Sequence, residues 1–394
     1  AGTRYTRARN FDFGPDRRGN VSVLSPYLRH RLVLEPEVLE ATLQQHSLGE
    51  ASKFVQEVFW RAYFKGWLEH RPSVWEDYRS DLWNQLRSLD NDASLLQRFD
   101  EATEGRTGIE CFDAWAQELV ATGYLHNHAR MWFASIWVYT LGLPWQLGAD
   151  FFLRHLLDGD PASNTLSWRW VCGLHTPGKT YLARPANIAR FTDNRFNPAG
   201  QLATSAPPLS DERTYPLRPL PAAEPLAPGR RFGLLVTEED GCPEALLGDE
   251  SPAAVLGALA TQLRSPLPIG ELVKHFAAAA VSDAVNRTAR HYGVDGEVAE
   301  TPDWDALLVD WARRHRVAAI VTPYAPVGPV RRMLDEASAT LEREGIRLVT
   351  PRRDFDSVAW PHAQRGYFRM KEQIPRILEE LGIGMERRPT AQSA

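Results

Sequence analysis

Apolar side chains recur at intervals of three and four residues through the first half of the chain, which predicts amphipathic α-helices. Pro36 marks one helix start, because proline is favoured at the first helical position. Helices are predicted over 36–46, 50–69, 109–121, 126–141 and 148–157. No alternating pattern typical of a strand interrupts them, so we expect an all-α domain with an unusually aromatic interior.

The second half alternates short apolar runs with helical patterns. The runs lie at 231–240, 316–326 and 346–351, and the helical patterns at 252–264, 271–292, 304–315 and 328–344. This alternation is typical of βαβ units, so a parallel sheet with helical crossovers is expected. Neither G-x-G-x-x-G after the first run nor a P-loop occurs, so no nucleotide-binding motif supports a site there.

A proline-rich stretch separates the two halves. Residues 198–230 contain eight prolines, and proline lacks an N–H donor and fixes φ, which excludes a helix or a central strand. We therefore predict a helical domain over 1–198, a semi-extended linker over 199–230 and an α/β domain over 231–394.

Composition limits the class of protein. The net charge is −5 over 394 residues, so a nucleic acid would have to bind at a local basic patch. Three scattered cysteines favour a reducing compartment, the cytoplasm, and exclude a four-cysteine iron–sulfur cluster within this chain. No apolar run is long enough for a membrane helix, and the first ten residues lack a secretory signal. Ten of the 13 tryptophans lie between Trp60 and Trp170.

Four polar segments carry the candidate chemistry of the helical half. In the first, 20–32, Ser22 and Ser25 precede a helix and could cradle phosphate, although an ordinary cap and turn has the same pattern. In the second, Glu57 lies one helical turn from Trp60 and Arg61. This arrangement suits a planar ligand with polar edges, although core packing explains the same spacing.

The third and fourth segments are expected to meet. Residues 122–135 place Asn127 and Arg130 on one face of an otherwise apolar helix, and a buried arginine needs a partner. Asp158 or Asp160 could provide it, as a purely structural ion pair or as part of a ligand site. Calcium binding is disfavoured because the other ligands of a calcium loop are missing. Two carboxylates, an amide and two indoles instead favour a clamp for an extended heteroaromatic ligand.

In order, the four segments are S-x-L-S-P-Y-L, E-x-x-W-R, T-G-Y-L-H-N-x-x-R-M and D-G-D-x-x-x-N-x-x-x-W-x-W. This series resembles the FAD-binding domain of the photolyase/cryptochrome family over residues 20–198. The resemblance implies a U-shaped FAD within the helices. The residues expected to hold it are Ser22, Leu24 and Ser25 at the phosphates, Phe54 and Arg61 in the pocket, Asn127, Arg130, Asp158 and Asp160 along the cofactor, and Asn164 near flavin N5.

The resemblance also implies a reaction. Glu57, Trp60 and Met131 match the lesion-facing residues of cyclobutane-dimer photolyases, and Trp170 would provide a second stacking surface. Excited FADH⁻ would donate an electron to a pyrimidine dimer flipped into the pocket, the dimer would split, and the electron would return. Asparagine at position 164 is the photolyase-like choice and favours the fully reduced anionic flavin.

Photoreduction in this family runs along a chain of tryptophans. By resemblance, Trp168 and Trp145 are its inner and middle members. No tryptophan occupies 88–95, where the outer member is expected. The alternatives are Trp83, Trp132 and Trp137.

The order of the halves departs from the family. Familiar members begin with the antenna domain, whereas here a Rossmann-like α/β domain follows the helical FAD-binding domain. The chain therefore resembles a circularly permuted photolyase, which is tolerated when the termini lie at exposed sites. The usual opening motif of the antenna domain is absent, so binding of an antenna chromophore is left open.

Ultraviolet-damaged DNA is the expected partner. Six basic residues would form the local patch that binds it: Arg154, Arg169, Lys179, Arg184, Arg190 and Arg195. The alternative function is a cryptochrome-like photoreceptor that photoreduces its flavin without repairing DNA. A light-independent flavoprotein or an inert binding module is the third hypothesis.

Overall fold

The computed structural model describes residues 1–225 and 231–384. The first half is built from helices: α1 (Gly2–Ala8), α2 (Ser25–Arg29), α3 (Glu35–Leu43), α4 (Leu48–Glu69), α5 (Ser73–Asn91), α6 (Ala93–Thr103), α7 (Glu110–Thr122), α8 (Asn127–Ser135), α9 (Trp145–His155), α10 (Pro161–Val171) and α11 (Pro185–Phe191). α8 continues into a π-helical turn, Ile136–Thr140. The prediction of an all-α first half is confirmed.

Local sequence explains where the helices of the site begin. Ser47 accepts from the backbone N of Glu50, whose side chain accepts from the Ser47 N, and this capping box starts α4. Asp160 starts α10 by accepting from the Ser163 backbone N at 2.7 Å, with Pro161 at the first helical position. The cap fixes Asp160 at the positive end of the helix dipole.

The second half forms a parallel sheet. Its strands are β1 (Phe232–Thr237), β2 (Val255–Ala258), β3 (Gly296–Ala299), β4 (Ala319–Val321) and β5 (Arg347–Val349), in the order β3-β2-β1-β4-β5. The helices between them are α12 (Glu244–Leu247), α13 (Glu271–Tyr292), α14 (Trp304–His315) and α15 (Pro329–Arg343). All four strand pairs are parallel, so the predicted α/β class is confirmed.

One predicted element is wrong. The helix expected over 252–264 is strand β2, followed by a 3₁₀ turn at Thr261–Arg264. Every residue of β2 is buried, so the strand shows no alternation. A short apolar run of this kind cannot be assigned to helix or strand from periodicity alone.

The last described helices return to the first half. α16 (Asp354–Ala359), a 3₁₀ segment (Trp360–Gln364), α17 (Tyr367–Lys371) and α18 (Ile374–Glu380) share a core with α3 and α4. On α4, a Cβ at Gly66 would lie 2.9 Å from the Trp360 Cα, so only glycine permits this approach. The domain boundaries at 198 and 231 stay predictions.

Residues 206–225 contain no helix or strand and cross the surface between the halves. The Leu209 N donates to the Cys172 O, and the Arg218 N donates to the His70 O. Near its end, Glu224 accepts from the Thr350 N at 3.0 Å, so the segment contacts both halves. Within the described residues, no helix combines the length and apolar character needed to cross a membrane.

Buried ion pairs join the end of β1 to the helical half. Arg29 donates to Glu239 at 2.6 and 2.7 Å, and Arg31 pairs with Asp356 at 2.6 Å. Arg353 holds Asp240 at 2.6 Å. Removing one partner of a buried pair is strongly destabilising, so these contacts fix the segment that carries Ser25 and α2.

Candidate functional site

Asp158 is the carboxylate around which the predicted cofactor residues gather. It is 4% exposed and accepts from the Arg130 Nη2 at 2.9 Å. Burial acts to raise the pKa of this carboxyl, but the charges of Arg130 and Arg61 and hydrogen bonds from Arg130 and Ser25 lower it on balance. Asp158 is therefore ionised at neutral pH and interacts with side chains of α2, α4 and α8.

Asp160 lies two residues further, at the start of α10. Lys65 and Arg29 approach its Oδ2 at 3.7 Å each. Burial opposes ionisation, but the charges of Lys65, Arg29 and Arg61 lower the pKa of Asp160 far below its usual value. Lys65 was not predicted. The signal that could have indicated it is a lysine one helical turn after Arg61 in a largely apolar helix.

Several buried polar atoms at this site lack a hydrogen-bond partner among the described residues: Arg61 Nη1, Lys65 Nζ, Asp158 Oδ1 and Ser163 Oγ. Leaving a buried polar atom unsatisfied costs about 1–3 kcal/mol. The cationic donors suit phosphate, and the carboxylate can accept from a ring N–H or a ribose hydroxyl. These cationic donors and the carboxylate acceptor fit the phosphates, ribose and rings of FAD.

The remaining predicted cofactor residues lie in different surroundings. Ser22 is exposed, and Leu24 caps α2 and packs against the core shared by α4 and the last helices. Phe54 is buried edge-on against Tyr5, with ring centroids 5.3 Å apart. Asn127 is exposed at the first position of α8. Ser22 and Asn127 make no described hydrogen bond to Asp158, and the side chains of Leu24 and Phe54 have no polar atoms.

The predicted lesion-facing residues have partners that sequence analysis missed. Glu57 forms an ion pair with Arg9. Trp60 stacks on Tyr367, with centroids 3.5 Å apart and planes 12° from parallel. Met131 is half-buried. Arg9 and Tyr367 lie outside the four motifs, so no local pattern points to them.

Two further predicted site residues lie on α10. The Asn164 Nδ2 donates to the Ala149 O at 2.7 Å, which fixes the amide while the residue stays 7% exposed. Trp170 stacks on Tyr181 with centroids 5.7 Å apart. Trp170 is half-buried, so its indole is reachable from outside the helical core.

The predicted electron-transfer residues are buried in the aromatic core. Trp168 packs edge-on against Trp137, with centroids 6.2 Å apart, and a Cβ at Gly148 would lie 2.3 Å from its ring. Trp145 is 4% exposed and lies 5.6 Å from Tyr78. Of the alternative outer members, Trp83 is 54% exposed and Trp132 stacks on Trp115.

The predicted basic patch is divided. Arg154 pairs with Asp150 at 2.8 Å and Arg169 with Asp211 at 3.2 Å, and both arginines are buried. Arg195 pairs with Asp12 at 2.8 Å. Lys179, Arg184, Arg190 and Arg195 are exposed, and the first three of these have no ion pair among the described residues.

Comparison with known proteins gives the family of this site. Residues 54–205 match the FAD-binding domain of DNA photolyase. The helical half contains a photolyase/cryptochrome FAD-binding domain. The matched residues include most of α4 and all of α8 and α10, together with Asp158, Asp160 and the unpartnered polar atoms described above.

Curated relatives of this photolyase-type domain are deoxyribodipyrimidine photo-lyases. The Streptomyces griseus protein is 36% identical over 158 residues, which cover 39% of this chain and 32% of the relative. The Thermus thermophilus protein is 37% identical over 166 residues, 41% of this chain and 37% of the relative. The chain thus spans well under two thirds of the length of these proteins.

Solved structures of photolyases are also similar. A bacterial class III photolyase from Agrobacterium tumefaciens is 26% identical, with a TM-score of 0.38 over 48% of this chain and 39% of that one. An archaeal photolyase from Sulfolobus tokodaii with two FAD molecules is 28% identical, with a TM-score of 0.39 over 48% and 41%.

Proposed function

We propose that this chain uses blue light to transfer an electron to a cyclobutane pyrimidine dimer in DNA, which then splits. One observation carries the proposal. α4 and α8 each carry a half-buried cation that acts on Asp158, next in sequence to a half-buried residue predicted to face the lesion, Arg61 after Trp60 and Arg130 before Met131. A cofactor held by the cations would therefore lie close to a base held by their neighbours.

The chain's own residues would bind the cofactor and orient it. Arg61 and Lys65 would hold the phosphates, and Asp158 would accept from a hydroxyl or ring N–H. Asn164 is fixed by its bond to the Ala149 O and would face the flavin. When bound, FAD supplies light absorption and the electron that is transferred.

The DNA side of the site would use different groups. Trp60 and Trp170 would stack on the flipped bases, and the Glu57 carboxylate would accept from a base N–H. Lys179, Arg184 and Arg190, the exposed members of the predicted patch without a described ion pair, would contact phosphates.

The test is loss of dimers from an ultraviolet-irradiated oligonucleotide under blue light, with the chain loaded with reduced FAD. We expect loss in light and none in the dark, and a Glu57→Ala variant should bind FAD normally but repair more slowly. If reduced FAD is bound and no dimers are lost in light, the proposal is wrong.

A second candidate function, a photoreceptor without repair, is favoured by the partners of the lesion-facing residues. Tyr367 covers one face of Trp60, and Arg9 pairs with Glu57. In a photoreceptor these contacts would persist, bound flavin would be photoreduced, and dimer-containing DNA would bind no better than undamaged DNA. A clear affinity difference between the two DNAs would exclude this candidate.

We also propose that the α/β part corresponds to an antenna domain placed after the helical domain. Its all-parallel sheet and the order of its strands support this assignment. At the carboxyl end of β1, where such sheets bind ligands, Glu238 accepts from the Ala260 N and Thr261, and Glu239 binds Arg29. An absorption spectrum of the purified protein tests for an added chromophore, since an antenna adds a band to those of flavin.

A further inference from the structure

The tryptophan route lacks its outer member in the sequence, but the structure places another aromatic residue against Trp145. The Tyr78 ring on α5 lies 5.6 Å from the Trp145 ring, with planes 31° apart. Trp75 continues the stack, 5.2 Å from Tyr78 at 33°. All three residues are at most 4% exposed. Aromatic rings at this separation are in contact, so Tyr78 can exchange an electron with Trp145 directly.

The hydroxyl of Tyr78 is unusual for a buried phenol, because it has no hydrogen-bond partner among the described residues. Asp150 lies on α9, the helix that begins at Trp145, and is 1% exposed. Its Oδ2 accepts from the Arg154 Nε at 2.8 Å, and its Oδ1 has no partner within the described structure. Two unsatisfied buried oxygens, one a donor and one an acceptor, thus lie on the packed helices α5 and α9 without a hydrogen bond to each other. Transfer of a proton between them requires the two side chains to approach.

The two groups influence each other electrostatically. Burial, and then the charge of Asp150, raise the pKa of Tyr78 well above its usual value. Burial also raises the pKa of Asp150, against the opposing charge of Arg154. The tyrosine therefore holds its proton in the resting protein, and the carboxylate binds a proton more readily than an exposed aspartate.

We propose that Tyr78 is the third member of the electron-transfer route and that Asp150 receives its proton. The inference rests on the proposed light-driven flavin function and on the expected route through Trp168. Photoexcited oxidised FAD would be the oxidant, and it would take an electron through Trp168 and leave Trp145 as a radical cation. One electron passes from the phenol to Trp145, which returns to neutral indole. The O–H bond of Tyr78 breaks, its proton goes to the Asp150 carboxylate, and a neutral tyrosyl radical remains. A thiol or another external one-electron donor later reduces that radical.

The proton step follows from burial. Oxidation without proton loss would leave a phenol cation in the core, and an unpaired buried charge is very costly. Transfer to Asp150 leaves both members of the pair neutral, because the phenol becomes a neutral radical and the carboxylate a neutral acid. The positive charge then lies on Arg154, which loses its ion pair with Asp150. Trp83, although exposed, makes no aromatic contact with Trp145 within the described structure.

Trp145 also borders a cavity through which it could be reduced without Tyr78. A cavity of about 470 Å³ is lined by Trp145, Arg169, Asp211 and Arg213, among others. A small reductant that entered this cavity could reduce Trp145 directly and bypass Tyr78. The experiment must therefore identify the radical rather than only measure flavin reduction.

The experiment is electron paramagnetic resonance of the FAD-loaded chain, illuminated without external reductant and frozen. We expect a tyrosyl spectrum in the natural chain and only a tryptophan radical in Tyr78→Phe. Asp150→Asn should lose most of the tyrosyl signal, while Asp150→Glu should keep it. Tyr292→Phe, which removes a hydroxyl in the α/β half, is the matched control and should behave like the natural chain.

Transient absorption in heavy water provides a second readout. Tyrosyl formation should slow in the natural chain, because the O–H bond breaks in that step. A natural chain that forms only tryptophan radicals, with Tyr78→Phe unchanged, overturns the inference while leaving the proposed function intact. The proposed function is tested separately, by dimer loss with reduced FAD, and absence of flavin photoreduction would show only that bound flavin does not oxidise Trp145. In that case, photo-oxidation of the tryptophans with a ruthenium(II) trisbipyridine complex and persulfate tests Tyr78 by the same spectra.

Discussion

The ring of Tyr367 lies parallel to the indole of Trp60, with centroids 3.5 Å apart. The Tyr367 hydroxyl donates to the Gln56 O at 2.8 Å, so the ring and the hydroxyl both contact α4. An aromatic pair contributes about 0.5–1.5 kcal/mol beyond its buried area. Under the proposed function, a flipped base could reach this face of Trp60 only after Tyr367 had moved, so the last helices would compete with DNA for the site.

Removal of Tyr367 should strengthen binding of damaged DNA. Tyr367→Ala frees one face of Trp60, and we expect affinity for a dimer-containing oligonucleotide to rise about two- to tenfold. Fluorescence anisotropy measures it. Phe368→Ala, which removes a 75% exposed neighbour on the same helix, is the control and should change nothing. Equal affinities for all three proteins would mean that the stack does not compete with DNA.

Loss of the Asp158 charge should release the cofactor. Asp158→Asn breaks the ion pair with Arg130 and replaces the carboxylate by a weaker hydrogen-bond acceptor for FAD. FAD affinity should therefore fall about ten- to a hundredfold. Retention of flavin absorbance through gel filtration measures this loss. Asp310→Asn, at an exposed position on α14, is the matched control. Normal retention by the Asp158 variant would show that FAD binds elsewhere.

Acid should destabilise the helical half through His126. The His126 Nδ1 accepts from the His128 N, and its Nε2 lies 3.0 Å from the Arg9 O, which requires a neutral ring. Burial lowers the pKa of His126 to about 4 from 6.5. Its stabilising contribution is complete above pH 6.5 and is lost as pH falls toward about 4. The loss is at most about 3 kcal/mol.

Urea unfolding at several pH values measures that loss. His126→Asn keeps a side chain that can cap α8 but cannot titrate, so its free energy of unfolding should depend less on pH between 6.5 and about 4. Parallel pH curves for the two proteins would exclude His126 as the source.

DNA affinity should depend on the exposed basic residues. Replacing Lys179, Arg184 and Arg190 with glutamine should weaken binding of damaged and undamaged DNA alike. The salt dependence should also fall by about one unit of slope per lost phosphate contact. A triple glutamine variant of Arg87, Arg98 and Arg343, exposed elsewhere, is the control. If both triple variants bind equally well, the phosphate contacts lie on another surface.

Much of the fold follows from sequence periodicity, because helices such as α4 and α13 are long and clearly patterned. The β2 strand was misassigned, since its four residues are buried on both faces and show no alternation. The sequence motifs predict most of the charged residues around Asp158. Arg9 and Tyr367 were not, because they reach α4 from far along the chain, through tertiary packing that no local pattern encodes.

The most direct test of the central claim is the yield of restored thymines per light flash from a defined thymine-dimer oligonucleotide bound to the chain with reduced FAD. Restored thymines are expected only in light, with a higher yield for Tyr367→Ala than for the natural chain. Bound FAD and bound DNA with no restored thymine in either protein would exclude light-driven dimer repair.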